Sequence, residues 1–221
     1  TGTQTLTNKT LTAPKINEDV AVTSTATELN LLDGATVVIP AKVEGTNFTG
    51  SLLVGHATTG TLSSAEHNTG VGTTALSSLT TGDKNTAVGN GAGTAITTSA
   101  ENTAVGRNAL RFVATGGGRN TAIGVDALAS SDTSLTENTA VGRTALTACT
   151  GDVNTAIGYS AGANITSGSG NVMIGEVNAD SATGDRQLKI TGNDGSTSTT
   201  WISGDSNGQV KLISGYIAEV A

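Results

Sequence analysis

Asn85-Thr-Ala-Val-Gly89 decides the fold, because the string returns at Asn102 and Asn138, and with Ile for Val at Asn120 and Asn154. Looser copies begin at Asn68 (NTGVG) and Asn171 (NVMIG), and Ser51-Leu-Leu-Val-Gly55 is a degenerate first copy. Counted from Ser51, the starts lie 17, 17, 17, 18, 18, 16 and 17 residues apart. Eight copies at one period do not arise by chance, and a fixed period marks a repeat architecture. A second element keeps the same step. Three residues after the motif Gly comes Ala75, Ala92, Ala109, Ala127, Ala145 or Ala161. The next position is Leu76, Leu110, Leu128 or Leu146, with Gly93 and Gly162 in two copies. Each unit therefore reads as a short strand, a tight corner at Gly, a second apolar stretch and a polar loop. The loops absorb the one-residue changes in period.

A unit of this length is too short for leucine-rich or helical repeats. Thr, Val, Ile and Gly are poor helix formers, and β-branched residues suit a pleated strand. The spacing predicts an all-β fold, a β-solenoid or β-roll of eight coils with one coil per repeat. Stacked at the interstrand spacing of ~4.8 Å, the coils span roughly 38 Å. Strand alternation places Thr and Val/Ile on one face and Asn, Ala and Gly on the other. Larger side chains normally fill a core, so Val88, Val105, Ile123, Val141 and Ile157 are expected inside. The Ala face is then expected against a neighbouring subunit. Asn85, Asn102, Asn120, Asn138 and Asn154 read as structural residues, suited to a left-handed corner or to a stacked ladder. Gly89, Gly106, Gly124, Gly142 and Gly158 read as the corners themselves.

Composition narrows the function. Thr and Gly make up 70 of 221 residues, and only Phe48, Phe112, Tyr159, Trp201 and Tyr216 are aromatic. This argues against a compact enzyme with one deep core. The formal net charge of −7 gives no electrostatic footprint for nucleic acid or an anionic lipid surface. No apolar run reaches the ~18 residues of a membrane-spanning helix. The single cysteine, Cys149, makes neither an intrachain disulfide nor a zinc site. It reads as a small buried residue. Without an initiating Met or a signal-peptide pattern, Thr1 is expected to be an internal start. A solenoid this thin buries little area per residue, and without disulfides or metal the remaining remedy is association, so a homo-oligomer is expected.

The ends depart from the repeat. Residues 1–40 read as an N-terminal stem, in which Thr25 and Glu28 form a capping box and Gly34 stops a short helix bearing Leu29, Leu31 and Leu32. Val37-Val-Ile-Pro40 reads as a strand entering the solenoid of residues 41–181. Residues 182–221 read as a small antiparallel β cap over the open edge. Its strands are expected at Gln187–Ile190, Thr200–Ser203 and Gln209–Ile213, with a turn at Gly204–Gly208.

These segments carry a resemblance. TQTLTNKTLTAPKI (3–16) and TATELNLLDGA (25–35) resemble segments of bacteriophage tail-fibre proteins, and the NTAVGxxAL units resemble the repeats of those fibres. QLKI and TTWISGDSNG (187–190 and 199–208) are similar to phage fibre ends. The coils are also similar to the heads of trimeric autotransporter adhesins, although the period here is longer and no membrane-anchor segment is present. The resemblance implies a homotrimer in the virion tail, joined to an upstream fibre or baseplate protein and binding a bacterial surface glycan or protein. Adhesin heads on the bacterial cell surface and polysaccharide-degrading tailspikes are the alternatives.

Chemistry was weighed against this. Glycoside hydrolysis needs two carboxylates a fixed few Å apart. Asp83, Glu101, Asp126, Asp132, Glu137 and Asp152 are scattered over the loops and read as solvated charges. His56 and His67 lack a nucleophile constellation, so no catalytic residue is expected. Residues 192–195 and 204–208 are rich in oxygen ligands but read as bare turns, and no metal or cofactor is expected. Gly116-Gly-Gly118 lacks the strand–helix context of a phosphate loop. For a receptor, the flat aromatic surfaces are the candidates: Trp201 first, then Tyr216, Tyr159 and Phe112. A core-plug role for Trp201 is the competing reading.

Overall fold

The structure, a computed structural model, describes residues 41–43, 47–55, 59–130 and 134–212, all in the unit that begins at residue 39. The expected N-terminal helix, the strand at 37–40, His56, Asp132 and Tyr216 lie outside the described residues. Every regular element described is a strand. β1 (Ala41–Val43) leads antiparallel into β2 (Leu52–Val54). One short strand per repeat follows: β3 (Thr69–Val71), β4 (Thr86–Val88), β5 (Thr103–Val105), β6 (Thr121–Ile123), β7 (Thr139–Val141), β8 (Thr155–Ile157) and β9 (Val172–Ile174). β2 to β9 pair in parallel, each with the next, in the order of the sequence. Parallel neighbours joined by a full coil make a β-solenoid of eight turns, as the period predicts. β10 (Leu188–Asn193) adds in parallel to β9, and β11 (Ser198–Gly204) and β12 (Val210–Leu212) continue the sheet as an antiparallel meander.

The strands stack in register, so each repeat position becomes a column. Thr86, Thr103, Thr121, Thr139 and Thr155 are successive partners, as are Ala87, Ala104, Ala122, Ala140 and Ala156. The alternation holds, but its sense is the reverse of the expectation. The Ala column is fully buried inside a single chain, and Val88, Ile123 and Ile157 are 38–43% exposed. Val105 and Val141 are half-buried on the same outer face. The Ala face therefore has no access to a neighbouring subunit.

The reason is the width of the coil. Large side chains do fill its interior, but they come from the second stretch: Leu76, Leu110, Leu128 and Leu146, with Leu79, Ile96, Val113 and Ile165, all buried. What remains for the strand in the middle coils is room for a methyl group, while the end coils of the same column carry Leu53 and Met173, also buried. At Gly70, where the strand carries no side chain, an added Cβ would lie 3.5 Å from Leu76 Cδ1 and would collide with Leu53.

Those leucines hold a costly backbone. Leu76, Leu110, Leu128 and Leu146 have φ between +48° and +56°. A left-handed Leu costs roughly 1–2 kcal/mol, and complete burial of its side chain returns about 1.5–3 kcal/mol. Burial wins by a small margin. Where Gly93 and Gly162 take this position, Ile96 and Ile165 fill the space. A Cβ added at Gly93 would lie 2.9 Å from Ile96 Cδ1, and one at Gly162 would lie 3.0 Å from Ile165 Cδ1.

Buried polar groups are satisfied along the stack. The Asn102 backbone and side-chain N–H groups donate to Asn85 Oδ1 at 3.1 and 3.0 Å, and those of Asn120 donate to Asn102 Oδ1 at 3.1 Å each. The remaining amide hydrogen reaches a loop carbonyl, as Asn120 Nδ2 does at Leu135 (2.7 Å). The ladder begins at Ser51, whose Oγ accepts from the Asn68 backbone at 2.8 Å. It ends at Gln187, which donates to Asn171 Oδ1 at 2.8 and 3.2 Å. The left-handed corner belongs to the residue before each Asn, such as Lys84, Glu101, Arg119 or Glu137, and not to Asn itself. The motif glycines are stacked backbone on backbone. Gly106 has φ +129°, and a Cβ there would lie 2.6 Å from the Gly124 carbonyl carbon. Only hydrogen fits.

Candidate functional site

Two surfaces stand out once the coil interior is accounted for. The first is the outer face of the parallel sheet. Val71, Val88, Ile123 and Ile157, each 38–43% exposed, belong to an aliphatic column with Val54, Val105, Val141 and Ile174, beside the column of Leu52, Thr69, Thr86, Thr103, Thr121, Thr139 and Thr155. Regular stacking makes this face flat and continuous along the coils. The loop corner beside it carries charges of alternating sign. Lys84 pairs with Glu101 at 3.4 Å and Arg119 with Glu137 at 2.9 Å, each bridging adjacent coils. Exposed pairs of this kind contribute ~1 kcal/mol or less, so they favour one coil order more than they add stability.

The second surface surrounds Trp201 in the meander. Ile190 faces Ile202 and Thr191 faces Thr200, which leaves Trp201 as the extra residue of a β-bulge. Bulges re-aim a side chain. Here the indole lies against Gly192, where an added Cβ would fall 2.6 Å from its Cη2. Trp201 is 51% exposed, so it is a surface platform and not a core plug. Gly192, Asn193, Asp194, Thr197 and Thr199 complete a shallow depression of about 490 Å³ around it. Asp194 Oδ1 accepts the backbone N–H groups of Thr197 (2.8 Å) and Ser196 (2.9 Å). Those bonds, Thr197 first, hold its carboxyl below the usual carboxylate range. Asn193 is fixed as well: its Nδ2 donates to Glu176 at 2.8 Å and its Oδ1 accepts from Gly195 at 2.7 Å. Both acidic turns, 193–197 and 205–209, are closed by such side-chain to backbone bonds.

The other aromatic candidates lie elsewhere. Phe112 is 39% exposed with the Arg111 guanidinium 4.9 Å from its ring centre. Tyr159 is 46% exposed under Arg143, which also donates to its hydroxyl at 2.7 Å. Neither lines the Trp201 depression. The repeat Asn and Gly residues are the ladder and corner already described.

Most of the acids weighed for catalysis hold neighbouring coils together. Asp83 accepts the Glu66 backbone N–H at 2.7 Å, and Asp152 that of Thr136 at 2.8 Å. Asp126 takes Arg107 and Asn108, both at 2.9 Å. His67 is an exposed left-handed residue ahead of Asn68. Cys149 is buried in the core column of Leu79, Ile96 and Val113, and its thiol donates to Gly151 at 3.3 Å. Gly116–Gly118 line a groove with Glu101 and Arg119, and Gly118 bridges Ala100 and Thr136. Among the described residues, no helix is long and apolar enough to cross a membrane, and no three His, Cys, Asp or Glu side chains are grouped as metal ligands.

Compared with known proteins, the chain matches no family model, no curated protein and no solved structure.

Proposed function

We propose that the chain is a structural and adhesive segment of a phage tail fibre, a homotrimer that joins an upstream fibre or baseplate protein and binds a bacterial surface glycan or protein without covalent chemistry. The observation that carries this reading is the outer Thr and Val/Ile face. Its aliphatic column runs from Val54 to Ile174 on one sheet face, in an acidic chain. The column and its flanking threonines leave several hundred Å² open, roughly the size of the largest patch on a typical monomer, which is often functional. Copies of the same chain are the occupant that fits. Every copy presents the same regular spacing, and a trimer gives each chain two neighbours among which to divide the coverage, toward the ~800 Å² per partner of a stable interface. The intersubunit face in this reading is the Thr and Val/Ile face, in place of the Ala face expected from sequence.

Light scattering on the purified chain tests the assembly. A mass near three times 21.7 kDa supports it, and Ile123→Lys, placed mid-face, should lower that mass with the coils intact by circular dichroism. A wild-type monomer would overturn the fibre reading. Retention on envelope fractions from a panel of bacteria, with no release of reducing ends, tests adhesion without hydrolysis.

A further inference from the structure

We infer that the depression around Trp201 is a binding site for one neutral hexopyranose ring of a glycan, an assignment that takes its biological meaning from the adhesive reading above. Three observations converge on it. The bulge lifts Trp201 out of the cross-strand pairing and leaves it half exposed. Gly192 beneath it carries no side chain, and any Cβ there would displace the indole, so the platform depends on that glycine. The rim is polar, with Asp194 and Thr197 from the 193–197 turn and Thr199 from β11.

That combination selects a ligand. An aromatic face carries negative potential and attracts the weakly positive C–H groups on one side of a pyranose ring. The equatorial hydroxyls of the same ring point outward from that stack and need acceptors at its edge. Asp194 supplies one. Its turn bonds end on Oδ1, and Oδ2 carries no hydrogen bond among the described residues. A hydroxyl donating to a carboxylate makes a charge-assisted bond, stronger than a neutral one. The depression is shallow and open, with about 490 Å³ of space, which suits one ring resting on the indole and not an enclosed ligand. A flat aromatic ligand would leave the polar rim unpaired. An anionic sugar would meet a carboxylate on a chain of net charge −7.

Trp201 is the only tryptophan, so its emission reports on this site alone. The full chain should be titrated with the methyl glycosides of glucose, galactose, mannose and N-acetylglucosamine, and with sialic acid. The expected result is a saturable change in emission with at least one neutral glycoside and none with sialic acid. Asp194→Asn keeps an acceptor for the turn and should weaken that glycoside about tenfold, the loss of one charge-assisted bond. Saturation-transfer NMR should show the sugar signal retained in Trp201→Phe and lost in Trp201→Ala. No emission change with any glycoside to roughly 50 mM, far weaker than a millimolar site, overturns the assignment, as does an unaltered response in Asp194→Asn. A trimer that adheres to bacterial envelope without responding to any sugar would overturn this site and leave the adhesive reading standing. A sugar-responsive monomer would do the reverse.

Discussion

The coils and the C-terminal meander use the same sheet in opposite ways. In the coils, strands of three residues close a ring around their own interior, and Ala87, Ala104 and Ala122 are buried by Leu and Ile of the same chain. In the meander, strands of six, seven and three residues lie open, with Trp201, Val210 and Leu212 between 47% and 64% exposed. A coil has an inside, so it completes its own packing. A meander of three strands has two faces and fills neither. The repeat region thus packs its own interior and leaves only a regular outer face open, while the terminal strands leave side chains open on an irregular one.

The sharpest way to break that contrast is to attack the ladder. Asn120→Ala would strand the Asn138 backbone N–H in the interior and remove the side-chain bond to the Leu135 carbonyl, which keeps the Gly118 N–H. An unsatisfied buried group costs about 1–3 kcal/mol and a lost hydrogen bond about 0.5–1.5 kcal/mol, so a loss of about 2–4 kcal/mol in urea unfolding is expected. Asn193→Ala in the exposed meander turn should cost about 1 kcal/mol or less. Equal losses at the two sites would erase the distinction between scaffold and terminal strands.

Core complementarity gives the next largest effect. Gly93→Leu overfills its coil against Ile96 and should cost about 1–3 kcal/mol. Adding Ile96→Val copies the Leu110 and Val113 pair of the next coil and should recover most of the loss. A double mutant as unstable as the summed singles would show that the two positions are not coupled.

Charge reversal should matter less. Glu101→Lys replaces the pair with Lys84 by repulsion and should lower stability by ~0.5–1 kcal/mol at low salt, with the difference fading as salt rises. No change at low salt would remove the charges from the account of coil order.

The smallest effect belongs to Asp194. Its carboxyl is held below the usual range by the Thr197 and Ser196 N–H groups. The turn's support is therefore present above the ordinary carboxylate pKa and is lost as pH falls through the lowered value. Amide shifts of residues 196 and 197 should stay flat at neutral pH and move only in strong acid. Movement between pH 5 and 7 would contradict the bonding described.

Much of this was legible in the sequence. The period fixed the coil number, and Gln187-Leu-Lys-Ile190, Thr200–Ser203 and Gln209–Ile213 fall on β10, β11 and β12. The sense of the strand was not legible, because a period of two says which residues share a face and never which face is covered. Preferring Val over Ala as core ignored the Leu and Ile of the second stretch, which occupy the interior first. The signal was present: Gly93 and Gly162, the two copies without Leu, each have Ile three residues on. Trp201 reads from sequence as a flat aromatic residue of the cap, either a receptor platform or a core plug, and no Gly or Pro stands beside it in β11 to mark its bulge. What gives the platform room is Gly192 on the opposite strand, a relation visible only once the register is known.

The Asn ladder has one further consequence. Its ends are chemically distinct, a serine whose Oγ accepts from the first Asn and donates away from the ladder to Thr49, and a glutamine that donates to the last Asn. All rungs between them are interchangeable. Length is therefore a quantity that can be written in whole units: deleting or duplicating one 17-residue repeat, such as 85–101, leaves both terminators in place and moves the terminal strands by about one coil height, ~4.8 Å. The protein is in effect a ruler, graduated in asparagines.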